Sequence, residues 1–334
     1  MKTEQKSLRF GAAVILLAVV LRLGAGGFFT KVSDFLTGTA FHSVLLFLEN
    51  GRLFSNAPEE DLQASTDPQA TAPQPTEPEE PTEPVYAVFS PEDAQLVSVT
   101  NYPGISLDVE ALLAEPLSWD LTSGEPAVLI LHTHTCESYE NTEGYTPSSD
   151  YRTLDEHYNM ISIGAYLAQE LEKQGITVIH DTTVHDHPSY NGAYARSMAT
   201  AESWLEKYPS IRIVLDVHRD AYTDSAGNQL SNTVSYNGVS CSRLMFLMGT
   251  NAGGDIHPNW SDNLALAMKL QVTLEHLCPG VTRPICLRRS SFNQHISSGA
   301  MLVEVGTAGD TWQEALAAAG LLAEAIAALA HGTE

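Results

Sequence analysis

AVLILHTHTCESY, residues 127–139, decides how the chain folds. It opens on five uninterrupted apolar residues, the pattern of a strand buried on both faces. It then turns abruptly polar at His132-Thr-His134-Thr-Cys-Glu137. Downstream, apolar runs alternate with amphipathic stretches. A helix is expected over about 156–174, closed by Gly175, and ITVIH (176–180) reads as a strand. A helix over about 191–207 precedes the strand IRIVLDVH (211–218). NTVSY and LMFLMG suggest two more strands, and a long helix covers about 261–277. AMLVEVG (300–306) is a further strand. The last, alanine-rich helix starts at Thr311, with Glu314 three residues on as a capping box, and runs to about 330. Strands alternating with helices predict an α/β fold: a central mixed, mostly parallel sheet with helices on both faces.

Upstream of this unit the composition changes. Lys2, Lys6 and Arg9 precede an apolar run from Phe10 to Leu21, which continues weakly past Arg22 to Phe29. This reads as an uncleaved membrane anchor, with a signal peptide cleaved near Gly24-Ala25-Gly26 as the alternative. The basic residues place the N-terminus in the cytoplasm and the rest outside, a single-pass topology at the cell membrane. A second run, Ala40–Leu48, is too short to span. Residues 57–84 contain APQPTEPEEPTEP and no Lys or Arg. Repeated proline and high charge prevent a core there and give a semi-stiff, extended tether. The expected organisation is therefore an N-terminus and anchor (1–32), a Pro/Glu-rich tether (33–85) and a catalytic domain (86–334).

The formal net charge of −24 argues against nucleic-acid binding, which needs a basic footprint. The four cysteines, Cys136, Cys241, Cys278 and Cys286, form no CxxC pair, so a cysteine zinc site is not expected. A disulfide between Cys278 and Cys286 stays open.

In open α/β sheets ligands collect at the carboxyl ends of strands. Three strands end in polar clusters: His132 to Tyr139, Asp216-Val-His218-Arg219-Asp220, and Glu304 inside an apolar run before Gly306. A carboxylate set in an apolar strand is costly unless it is paired or bound. His134 and Glu137 form an H-x-x-E pair that a tight turn would aim at one point, and His218 would complete a three-ligand set. Two histidines and one carboxylate with an open position is a catalytic zinc arrangement, suited to hydrolysis. Glu304 suits the separate carboxylate that moves the proton. Each feature alone has a structural explanation: His218 as a hydrogen-bonded strand-end residue, Glu304 as a partner of Arg219. His157, His180, His185, His187 and His295 are given no role. Cys136 lies beside a carboxylate, which does not favour a thiolate.

Together VLILHTHTCESY, NMISIGAYLAQELEKQGITVIHD, LDVHRDA and SSFNQHISSGAMLVEVG resemble the stage II sporulation protein P family. The connector ISLDVEALLAEPL, the N-terminal apolar segment and the tether fit it too. The resemblance spans roughly residues 95 to 331. It implies a zinc-dependent N-acetylmuramoyl-L-alanine amidase of peptidoglycan, with endopeptidase activity as well, in septal wall thinning and engulfment during sporulation. It implies stage II sporulation protein D and an anchoring membrane protein as partners, and a fold similar to the zinc amidases of the cell wall. On that comparison His134 and His218 are ligands and Glu304 the catalytic carboxylate. Glu137 competes with Glu156 for the carboxylate ligand, and His132 competes with His134. Arg219 is a candidate for stabilising charge or holding a stem-peptide carboxylate, and Asp220 and Asn293 for orienting groups. The competing functions are a zinc carboxypeptidase on free peptides and a catalytically silent wall-binding scaffold. The stretch Ala308-Gly-Asp-Thr-Trp312 departs from the Asn-Thr turn expected after the last motif.

Overall fold

The computed structural model describes residues 89–117, 119–140 and 145–331, and the structural statements below concern these. The expected anchor and tether lie outside them.

Seven strands form one sheet in the order β1-β8-β7-β9-β4-β2-β3. They are β1 (Val99–Asn101), β2 (Val128–Leu131), β3 (Val178–His180), β4 (Ile213–Asp220), β7 (Leu244–Met248), β8 (Ile285–Leu287) and β9 (Ala300–Thr307). Every junction is parallel except β7 with β9. β5 (Thr233–Tyr236) and β6 (Val239–Ser242) form a separate antiparallel hairpin. The helices are α1 (Val109–Ala114), α2 (Met160–Lys173), α3 (Ala193–Lys207), α4 (Trp260–Leu277) and α5 (Trp312–His331). The expected mixed, mostly parallel α/β sheet is what the chain forms.

Period-two alternation separates the two faces. Val128 and Ile130 of β2, with Leu215 and Val217 of β4, share a core with Ile163 and Leu167 of α2 and Leu322 and Ile326 of α5. Leu129, Leu131, Val214 and Ala300 face the other way, onto Ala201 of α3. α5 is long and apolar enough to cross a membrane by composition. It packs here as a core helix, with Ala315, Ala318, Leu322 and Ile326 fully buried.

Local chemistry sets the helix ends. α2 begins at Met160 rather than near 156, because the Asn159 side chain caps it, accepting from the Ile161 amide at 2.9 Å. The expected box at α5 is formed: the Thr311 amide donates to Glu314 Oε2 (2.8 Å), and the Glu314 amide to Thr311 Oγ1 (3.3 Å). α1 lacks a basic residue in its last turn. Lys269 of α4 supplies one, donating to the Leu112 and Leu113 carbonyls at 2.8 and 2.7 Å. The sequence reading did not find α1, β1, β6 or β8, all six residues or shorter, too few to display a period. All four cysteines are free thiols, so Cys278 and Cys286 are not bridged.

One glycine is required by what lies against it. A Cβ on Gly164 of α2 would stand 2.5 Å from Nε2 of both His132 and His180. Gly164→Ala is therefore expected to lower stability by about 1–3 kcal/mol, the range for overpacking a close-packed interior. Urea unfolding of the two proteins measures this, and equal midpoints would show that the pair tolerates a methyl group.

Candidate active site

β4 and β9 run in register, with His218 opposite Glu304. Alternation along β4 carries Val214, Asp216 and His218 onto one face, and along β9 Ala300, Leu302 and Glu304. This is the face covered by α3. The apolar members of each row anchor the strands, and the polar members emerge at the carboxyl edge. β2 ends beside them, and a turn closed by the Glu137 amide donating to the His134 carbonyl (3.1 Å) presents both side chains there. His134, Glu137, His218 and Glu304 all lie within 8 % of full burial.

Contacts distinguish the two histidines of the first motif. His132 is fully buried. Its Nδ1–H donates to the Val217 carbonyl (3.0 Å), so its Nε2 accepts from His180 Nε2–H (3.0 Å). Both ring nitrogens are committed. His134 stacks on Tyr190 with centroids 4.4 Å apart and meets its hydroxyl through Nε2 (3.0 Å). Its Nδ1 is buried without a hydrogen-bond partner. The His134 and His218 rings meet edge to face, with centroids 5.2 Å apart.

Glu137 lies 3.5 Å from His218 Nδ1 through Oε2, which also accepts from the Arg219 amide at 3.3 Å. Glu156 is exposed and lines a surface groove with Trp312, away from these contacts. Arg219 has a different place from the one expected. Its guanidinium is buried, donating to the Ser138 and Tyr151 carbonyls at 2.9 and 2.8 Å, with Nη1 3.6 Å from Glu137. These contacts tie it to the Glu137 loop and turn its donors inward. Asp220 pairs with Arg283 (2.7 Å), and Asn293 donates to the Tyr194 carbonyl (2.7 Å). His185 donates from Nδ1 to the His132 carbonyl (2.8 Å), a structural bond. Burial and Asp186 push the Cys136 thiol up to about 12, which removes it as a nucleophile.

The sequence reading gave Asp216 no role. Its Oδ1 lies 2.9 Å from His218 Nε2, although the angle there is not that of a hydrogen bond. The Thr133 amide and hydroxyl fix the carboxylate at 2.7 and 2.6 Å. The signal was present: Asp216 precedes His218 by two in a strand, so the two share a face.

Burial raises the Glu137 carboxyl, but Arg219 and His218 outweigh it and hold it down at about 2. Burial likewise acts against Asp216, and His218 and Thr133 bring it to about 2. Burial would strip the His218 proton, yet Asp216 and Glu137 hold its pKa well above the usual imidazole range. Burial pushes Glu304 up to about 8, with His218 pulling against it. Glu304 Oε2 is buried without a partner. Near neutral pH, therefore, the metal-free site holds a proton on His218 and another on Glu304.

Among the described residues no group of three or more His, Cys, Asp or Glu side chains is placed as it stands to hold a metal ion. The chemistry of the set nevertheless fits a divalent ion. His134 Nδ1 and Glu304 Oε2 are buried and unpartnered, and the donors are two imidazoles and a carboxylate. One dication replaces the protons on His218 and Glu304 without changing the net charge. His134, Glu137 and His218 are the residues that would hold it, with Asp216 behind His218 as an outer-shell carboxylate.

The same burial makes the metal-free protein acid-sensitive. The pKa of His132 is lowered to about 3 and that of His180 to about 4 by burial. An unfolded chain binds those protons from pH 6.5 downward while the folded one refuses them, so stability is lost as pH falls through this window. Glu137 and Asp216, with depressed pKa values, contribute stability that is lost as pH falls from about 4 toward about 2. Glu304, with its pKa raised to about 8, adds stability as pH falls toward 4.5 and offsets part of this loss, but the two histidines outweigh it. Urea unfolding in chelator should therefore show a net decline in stability from pH 6.5 to 4, and a profile that rises there contradicts the buried neutral histidine pair.

The chain matches the stage II sporulation protein P family over residues 50–327. No curated protein matches it. Among solved structures it is similar to the N-acetylmuramoyl-L-alanine amidase from Clostridium difficile 630, at 18% identity over 61% of this chain and 94% of that one, with a TM-score of 0.36. It is also similar to AmiC2 of Nostoc punctiforme, another such amidase (15% identity, 63% and 96% covered, TM-score 0.36). The apo form of Ami1 from Mycobacterium abscessus, again an N-acetylmuramyl-L-alanine amidase, gives 13% identity, 62% and 98% covered, and a TM-score of 0.38.

Proposed function

The chain belongs to the stage II sporulation protein P family, and from that premise we propose that it is a zinc-dependent N-acetylmuramoyl-L-alanine amidase. Its substrate is the amide between the lactyl group of N-acetylmuramic acid and L-alanine in peptidoglycan. The observation that carries this reading is the convergence of His134, Glu137, His218 and Glu304 at adjoining strand ends, with buried, unpartnered atoms on His134 and Glu304.

Zinc, when bound, supplies Lewis-acid polarisation of the amide carbonyl and lowers the pKa of water at the site toward about 7. The chain's own groups do the rest. His134, Glu137 and His218 hold the ion. Asp216 fixes the orientation of the His218 ring, and Arg219 fixes the Glu137 loop. Glu304 is the proton carrier. Positive charge beside it favours its ionised form, in which it takes a proton from the attacking water. It then gives that proton to the leaving L-alanine nitrogen, which becomes a stronger base than the carboxylate as the amide bond breaks.

In this reading residues 1–32 anchor the chain in the membrane and 33–85 tether the catalytic domain on the extracytoplasmic side. Stage II sporulation protein D and an anchoring membrane protein are its partners in septal wall thinning and engulfment. Endopeptidase activity belongs to the same proposal.

Glu304→Gln is expected to keep zinc and lose at least about a hundredfold in rate, the usual worth of a positioned acid–base group. The assay is digestion of purified peptidoglycan with mass analysis. The unmodified protein should release intact stem peptides and leave free lactyl groups; shortened stem peptides alone would point to a carboxypeptidase. Asp216→Asn should weaken zinc about ten- to a hundredfold in chelator competition, the effect of losing an outer-shell carboxylate. Unchanged affinity would remove Asp216 from the account.

A further inference from the structure

α2 and α5 both begin at the carboxyl edge of the sheet, the edge that carries the site. Between their first turns runs an open groove of about 530 Å³. Tyr158, Ile161 and Ala165 line one side and Trp312 the other, with Glu156 and Gln313 among the polar groups at the rim. The aromatic walls are fixed. Trp312 Nε1 donates to Ser162 Oγ at 2.8 Å. Tyr158 stacks on Tyr145 with centroids 4.5 Å apart and planes 13° from parallel. The Tyr145 hydroxyl donates to Ser138 Oγ at 3.0 Å, and Asn159 forms a β-bridge with the same Ser138. Ser138 adjoins Glu137 in the chain, so a run of contacts through Tyr145 links the Tyr158 wall of the groove to the loop that carries Glu137. Trp312 ends the Ala308-Gly-Asp-Thr-Trp stretch that departs from the expected turn.

We propose that this groove is a glycan subsite, in which a pyranose ring of the sugar strand stacks on Trp312 and Tyr158. The inference rests on the amidase reading. Pyranose rings present apolar C–H faces to aromatic rings and hydroxyls to a polar rim, which is the chemistry found here. The occupant is the glycan because the scissile amide hangs directly from a sugar, and the groove opens on the same edge as the site.

The test compares the full-length protein with Trp312→Ala and Trp312→Phe on two substrates. One is polymeric peptidoglycan strands; the other is an N-acetylmuramoyl peptide with no neighbouring sugars. Trp312→Ala should raise KM on the polymer about tenfold with kcat little changed, the scale of one aromatic stacking face. It should leave the short substrate unaffected, and Trp312→Phe should recover most of the loss. Equal losses on both substrates would mean a purely structural tryptophan, and no loss on the polymer a groove that meets another partner, such as a protein; either overturns the proposal. In a separate arm, peptide-free glycan strands titrated into the unmodified protein should quench tryptophan fluorescence, and absence of a response contradicts the subsite. Failure of the unmodified protein to cleave either substrate would instead refute the amidase reading, so the two failures are distinguishable.

Discussion

The parallel pairing of β4 with β9 is the constraint on which the site depends. Partners in adjacent strands stand about 4.8 Å apart and point the same way. With His218 opposite Glu304, an imidazole and a carboxylate meet at the strand ends with no loop to position them. Leu215 and Val217 on β4, with Met301 and Val303 on β9, hold that register from the opposite face. A slip of one residue would turn the polar side chain of the shifted strand into the apolar core. The pairing becomes irregular only after His218, between His218 and Asp220. There Gly306 takes a φ of 77°, and a Cβ would stand 2.6 Å from Asp310 Oδ2 and Ser242 Oγ. The strands therefore remain regular through His218 and Glu304 and bend just beyond them.

The second feature is how buried charge is balanced. Glu137 and Asp216 flank His218, and Arg219 backs Glu137. Neither carboxylate would be tolerated so deep without those cations. Glu304 has no comparable partner and keeps its proton instead, which explains why its pKa is raised while its neighbours' are lowered. Nearby, His132 and His180 bond to each other as neutral rings packed against Gly164.

Much of this was legible in the sequence, and what was not has definite causes. The apolar runs at 127–132, 211–218 and 300–306 read as strands and form them, and the polar residues at their ends make up the candidate site. His132 and His134 lie two apart with the same neighbours; only the Val217 carbonyl and His180, both distant in the chain, separate a structural ring from a free one. Arg219 looked available because sequence does not reveal that the Ser138 and Tyr151 carbonyls, on a long loop, would occupy its donors. Asp216 could have been read from alternation alone. The groove at Trp312 could not, since it joins the starts of two helices about 150 residues apart.

In the proposed mechanism His134, Glu137 and His218 hold zinc while Glu304 stands by without binding it. Anomalous diffraction at the zinc edge from crystals of the zinc-loaded protein tests this most directly. One zinc peak contacted by those three side chains is expected, with Glu304 beside it but outside contact and His132 still bonded to His180. A peak on His132 or Glu156, or none after loading, would contradict it.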